Sequence, residues 1–170
     1  MLPKSYIIKK WTVYALATLA LFILQHLVLN HVSLFGTAPF IYPMLPALLA
    51  SYEGPKRGSV FALVLGAVCD MLLSGPFPGA YAILFTLIAL LAGNIGENLL
   101  SPGWLCGFTV SLMALALNVA VRLMLFLLTG ELHLLLMGRI ALLEIVLSLP
   151  AIFAALPLYR TIHRNCAADY

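Results

Sequence analysis

The sequence predicts an all-α integral membrane protein, a bundle of about six transmembrane helices with both chain ends in the cytoplasm. Three observations carry that prediction. The 170 residues are 64% hydrophobic and only 9% charged, where a soluble domain carries roughly 25% charged residues. Apolar runs recur at lengths close to the roughly 20 residues that cross a bilayer. The basic residues fall in alternate connections, as expected when Lys and Arg are retained on the cytoplasmic side. The apolar runs consume the length, and no stretch is long and polar enough for a separate soluble unit, so residues 1–170 read as one domain.

The elements follow in order. Helix one spans about Trp11–Leu29; Lys4, Lys9 and Lys10 precede it as in a signal peptide. Its run of about 19 residues suits a span better than a signal core of roughly 7–15 residues, and no small-x-small cleavage site follows. Helix two spans about Ala38–Tyr52 and is interrupted by Pro39, Pro43 and Pro46. An interior proline removes a backbone hydrogen bond and bends a helix, which lipid tolerates only where protein satisfies the freed carbonyl. Both a kinked helix and a broken element beside a cavity or partner groove fit. Helix three spans about Gly58–Leu73, helix four about Pro78–Ile95 with Gly93-Asn94-Ile95-Gly96 terminating it, helix five about Trp104–Leu128, and helix six about Leu136–Leu158. No internal repeat or low-complexity segment is evident.

Placing the N-terminus inside puts Lys4, Lys9, Lys10, Lys56, Arg57, Arg160 and Arg164 in the cytoplasm, seven of the nine basic residues. The net charge of +3 is therefore an orientation signal and not a nucleic-acid surface. Cys69, Cys106 and Cys166 have no metal-ligand spacing and form no even set. All three read as reduced, the first two in helices and Cys166 in the cytoplasmic tail.

Asp70, Arg122, Arg139 and Glu144 fall within or at the edge of spans. A charge at bilayer depth costs at least about 2.5–3.5 kcal/mol, so each needs a partner or a use. Depth counting puts all four in the outer half of the bilayer. They lie on faces of small and polar residues: Gly58, Ala62, Gly66 and Asp70 on helix three; Gly107, Ser111, Ala114, Asn118 and Arg122 on helix five; Ala141, Glu144, Ser148, Ala151 and Ala155 on helix six. Small residues let helices approach closely in lipid. The expectation is that helices three, five and six meet near their outer ends with Asp70 close to Arg122. A structural ion cluster and a recognition site for a partner helix or an outer-face ligand both fit. Gln25, His26 and Asn30 read as interhelical hydrogen-bonding or interface groups, and His133 and His163 have no metal partners at useful spacing. No catalytic triad, intramembrane metal motif or phosphate loop is present, so the expectation is a non-enzyme without cofactor or metal.

The segment Gly58–Leu73, with Gly66-x-x-x-Asp70-Met71-Leu72, then Ser74-Gly75 and Pro78-Gly79-Ala80-Tyr81-Ala82, resembles the MreD family of bacterial rod shape-determining membrane proteins. Gly66, Asp70 and Gly79 match the family pattern residue by residue, and Gln25, Gly54 and the proline-bearing start of helix two agree more loosely. Helices five and six match only in hydropathy. The resemblance implies a non-enzymatic scaffold of the cell-elongation machinery in the cytoplasmic membrane. It would bind the single-pass protein MreC and, through it, link to MreB, the glycosyltransferase RodA and a class B transpeptidase in peptidoglycan synthesis. The family is similar in fold to the substrate-binding components of energy-coupling-factor vitamin transporters, and such a component is the competing function.

Overall fold

Apolar segments in lipid must satisfy their own backbone, and here they do so as helices. The computed structural model describes residues 4–29, 37–73, 77–100, 103–129 and 134–168. Among these residues are six α-helices: α1 (Lys4–Leu24), α2 (Met44–Glu53), α3 (Pro55–Leu72), α4 (Ala80–Asn98), α5 (Trp104–Thr129) and α6 (Leu134–Ala168). Helix α1 runs directly into a single π-turn, Gln25–Leu29. Asn30, Ser74, Gly75, Glu131 and His133 lie outside the described residues.

Among the described residues, four helical segments are long and apolar enough to cross a membrane: Ile8–Leu27, Ala80–Asn98, Trp104–Leu125 and Gly138–Arg164. Such a chain is a membrane-embedded helical bundle. The other two helices differ from these for separate reasons. Helix α3 carries Lys56 and Arg57 at its start and Asp70 near its end. Helix α2 has only 10 residues, a rise of about 15 Å.

Helix α2 is the centre of the molecule. Every residue from Met44 to Tyr52 is buried, and α2 packs against α3, α4, α5 and α6. The expected helix over Ala38–Tyr52 does not form at its beginning. Residues 38–41 carry no regular structure, Tyr42 and Pro43 form a turn, and the helix starts at Met44. Proline chemistry accounts for this. Pro39 and Pro43 lack the N–H groups that a helix needs, and each disfavours helical backbone in the residue before it. Pro46 survives in the first turn, where its missing donor has no intrahelical acceptor.

Glycines set how tightly the rest closes on α2. A Cβ on Gly66 would lie 2.5 Å from Ala82 Cα, and one on Gly93 would lie 2.5 Å from Pro55 Cα. Only glycine permits α3 and α4 to pack that closely. Gly54 links α2 to α3 at φ +86, a conformation that side-chain-bearing residues rarely adopt.

Three further expectations are corrected. Helix α4 continues through Gly93 and Gly96 to Asn98, because those glycines seat against α3 and α2 and do not end the helix. Helix α6 extends to Ala168, so Arg160, Arg164 and Cys166 belong to its last turns and not to a tail. Helix α3 packs on α2 and α4, while α5 packs on α6; the expected junction of helices three, five and six is therefore occupied by α2 and α4.

Candidate functional site

The polar residues gather at the two ends of α2. At its N-terminal end the backbone has no helix to satisfy it, and side chains do so instead. The Gln25 side-chain amide donates from Nε2 to the Pro39 carbonyl at 2.7 Å and accepts the Ile41 N–H at 3.2 Å. The next N–H, that of Phe40, donates to Ser148 Oγ at 3.1 Å, and this hydroxyl in turn donates to the Glu144 carbonyl at 2.8 Å. Gln25 and Ser148 are both fully buried. The π-turn, α6 and the extended segment are thus joined at one place.

One turn away on the same face of α6, Glu144 is 5% exposed. Arg122 Nη1 donates to both of its carboxylate oxygens, at 3.0 and 2.9 Å. The guanidinium is 47% exposed, so the pair sits at the rim of the bundle. Arg122 forms its ion pair with Glu144 and not with Asp70. Asp70 instead accepts the Tyr81 and Ala82 N–H groups, both at 3.0 Å.

Those two N–H groups belong to the first turn of α4, whose N-cap residue Gly79 carries no side chain to bond them. Gly79 supplies the positive φ of the turn, +84. Asp70 caps α4 from the neighbouring helix, satisfying donors that the helix itself cannot. Gly66, one turn before Asp70, lets the Tyr81–Ala82 backbone approach. Gly66, Asp70 and Gly79 therefore act as one device that fastens the start of α4 to the end of α3.

The remaining predicted residues divide. Asn118 is buried one turn from Arg122, and neither polar atom of its amide finds a partner among the described residues. Arg139 is exposed and stands outside the Arg122–Glu144 pair. His26 is exposed too. It borders an apolar groove of about 430 Å³ between the ends of α1 and α3, whose walls include Phe22, Leu27, Tyr42, Leu72 and Leu73.

At the other end of α2 lies a site that sequence reasoning missed. Glu53, the last residue of α2, has a side chain only 2% exposed. It receives Lys10 Nζ at 2.7 Å and the Tyr14 hydroxyl at 3.0 Å from α1, His163 Nδ1 at 3.2 Å from α6, and Arg57 Nη1 at 3.8 Å from α3. Burial pushes the Glu53 carboxyl up. The hydrogen bonds from His163, Lys10 and Tyr14, together with the Lys10 charge, outweigh burial and hold it below the ordinary carboxylate range. His163 also lies against the Tyr52 ring, with centroids 5.3 Å apart.

A signal for this node was available. Lys10, Tyr14, Thr18 and Gln25 share one face of a helix by spacing, and Ser148, Tyr159 and His163 share one face of α6. The two faces meet: Tyr14 stacks on Tyr159 at 6.0 Å, and the Thr18 and Tyr159 hydroxyls are 2.7 Å apart. Among the described residues no group of three or more His, Cys, Asp or Glu side chains could hold a metal ion. Comparison with family models, curated proteins and solved structures returns no match to this chain.

Proposed function

We propose that this protein is a non-enzymatic, multi-pass scaffold of the bacterial cytoplasmic membrane, of the MreD kind, which acts by holding a membrane partner. The observation that carries the reading is how its membrane-level polar side chains are used. Gln25 and Ser148 bond backbone, Asp70 caps a helix, and Arg122 and Glu144 bond each other. These groups build shape and leave no paired nucleophile and base. The residues that carry the sequence resemblance, Gly66, Asp70 and Gly79, form a single packing device, which suits a family whose product is an architecture.

In this reading the chain crosses six times with both ends inside, which the element lengths and the positions of the basic residues support. Residues 44–52 of α2 rise about 14 Å, and residues 37–41 ahead of the turn reach up to about 16 Å when extended. Together they match a hydrocarbon core of about 30 Å. The 18 residues of α3 rise about 27 Å. With the N-terminus inside, Lys9, Lys56, Arg57, Arg160 and Arg164, all exposed, form a basic fringe on the cytoplasmic face. The Arg122–Glu144 pair then sits toward the outer face. The resemblance supplies the partners: MreC directly, and MreB, RodA and a class B transpeptidase through it.

The groove near His26 favours a second reading, the substrate-binding component of an energy-coupling-factor vitamin transporter. Among the described residues its walls carry two polar side chains, His26 and Tyr42, a poor complement to a polar vitamin. Affinity purification in mild detergent, with identification of co-purifying proteins, separates the two. The scaffold reading predicts recovery of MreC; recovery of a coupling-factor ATPase without MreC would overturn it.

A further inference from the structure

We propose that the groove between the far ends of α1 and α3 is a lipid site that holds one hydrocarbon chain of a membrane phospholipid. The inference needs only the membrane setting and stands apart from the scaffold reading.

The groove exists because α1 leans on α6 and meets α3 through side chains. At the Glu53 end the seam between α1 and α3 is closed by Trp11 against Phe61, with ring centroids 6.4 Å apart. At the other end no such pair fills it among the described residues. There the π-turn contributes Leu27 to one wall, and Leu72 and Leu73 end the opposite helix. The Gln25 amide holds residues 39–41, which places Tyr42 between the walls. A π-turn inserted into an α-helix is a frequent mark of a functional site, and here the same turn supplies both the clamp and a wall.

The chemistry of the walls selects the occupant. Ile23, Leu27 and Leu72 are respectively 47%, 64% and 64% exposed. The groove is thus continuous with the apolar surface that faces lipid, and its contents come from the membrane and not from water. A flexible hydrocarbon chain lies along a groove of about 430 Å³ that opens on this surface. Tyr42 adds an independent indication. It lines the groove, and its buried hydroxyl has no hydrogen-bond partner among the described residues. Buried donors are rarely left unpaired, and the ester carbonyl at the head of an acyl chain is an acceptor of the right kind.

The test reconstitutes the full chain in vesicles of phosphatidylethanolamine and phosphatidylglycerol. A fraction of the phosphatidylglycerol carries a photoactivatable diazirine in its acyl chain, and labelled positions are mapped by mass spectrometry. Leu87 on α4 and Val146 on α6, 54% and 56% exposed, serve as references of comparable exposure. Labelling at Leu27, Leu72 and Leu73 is expected to exceed the references by about fivefold, the factor given by a preference near 1 kcal/mol. Leu73→Trp fills the groove and is expected to remove the excess while leaving the references unchanged. Leu27→Trp fills it from the opposite wall and serves if Leu73→Trp does not fold. Tyr42→Phe keeps the shape and is expected to reduce the excess. Equal labelling at groove and reference positions overturns the proposal, as does an excess that survives both filled variants. Loss of the label when a single-pass partner protein is added would assign the groove to a helix and also overturn it.

Discussion

The two ends of α2 solve the same problem with opposite chemistry. At the Glu53 end the helix is complete and its backbone is bonded; the Gly54 N–H closes the last turn on the Ala50 carbonyl at 2.9 Å. There the side chains bond one another, a single carboxylate gathering Lys10, Tyr14, Arg57 and His163 from three other helices. At the other end the helix has not begun, and buried backbone groups without helical partners must find others. There the side chains bond backbone: Gln25 to Pro39 and Ile41, Ser148 to Phe40. A charge needs a counter-charge when it leaves water, and an unfinished helix needs amides and hydroxyls. Uncharged Gln and Ser satisfy the second need without bringing a charge into the interior.

Substitutions at each end of α2 separate the two arrangements. The largest loss is expected at the charged end. Glu53→Ala leaves Lys10 and its neighbours without their shared carboxylate, and removing one partner of a buried ionic group costs about 3–5 kcal/mol. Thermal unfolding in detergent checks this, and an unchanged midpoint would remove the node from the account. Gln25→Leu comes next. It strands one carbonyl and one N–H, each costing about 1–3 kcal/mol when buried unpaired. Arg122→Ala is expected to cost less, about 1–2 kcal/mol, because a half-exposed guanidinium is partly screened by solvent. Asp70→Ala removes the borrowed cap of α4 and is expected to cost about 1 kcal/mol, with faster amide exchange confined to Tyr81 and Ala82.

A pH series sharpens the same contrast. The folded Glu53 carboxyl titrates below its ordinary value, so the stability it contributes is complete above the unfolded carboxyl range, near pH 4.3–4.5. That stability is lost as pH falls through the lowered folded value. The difference in unfolding midpoint between wild type and Glu53→Gln is expected to be constant above about pH 5 and to shrink below it. A difference that persists unchanged to pH 3 would place the contribution of Glu53 in packing and not in its charge.

Much of this was legible in the sequence because lipid leaves few choices. Apolar length gave the helices, and four-residue spacing placed Gly66 and Asp70 on one face of α3, where both meet α4. The start of α2 was partly legible. Three prolines marked a kinked or broken element, but no local pattern says that Gln25 and Ser148 would supply the missing bonds from more than ten and more than one hundred residues away. The partner of Arg122 was misassigned for a simple reason. Depth counting placed Asp70 and Glu144 at one level, and depth does not say which helices are neighbours. The tendency of consecutive elements to pack side by side favours Glu144, which lies on the next helix. Glu53 escaped notice because it reads as a loop charge beside Lys56 and Arg57. Its partners Lys10 and His163 stand at opposite ends of the chain, and only the fold brings them together.

The account depends most on the protected, non-helical backbone ahead of α2. Amide hydrogen exchange in detergent-solubilised protein measures it directly at Phe40 and Ile41. The prediction is slow exchange at both residues in the wild type. Exchange should accelerate at Ile41 in Gln25→Leu and at Phe40 in Ser148→Ala, while amides in the middle of α4 are unaffected. Rapid exchange at Phe40 and Ile41 in the wild type would contradict the account, since those N–H groups would then be facing water and not the Gln25 and Ser148 side chains.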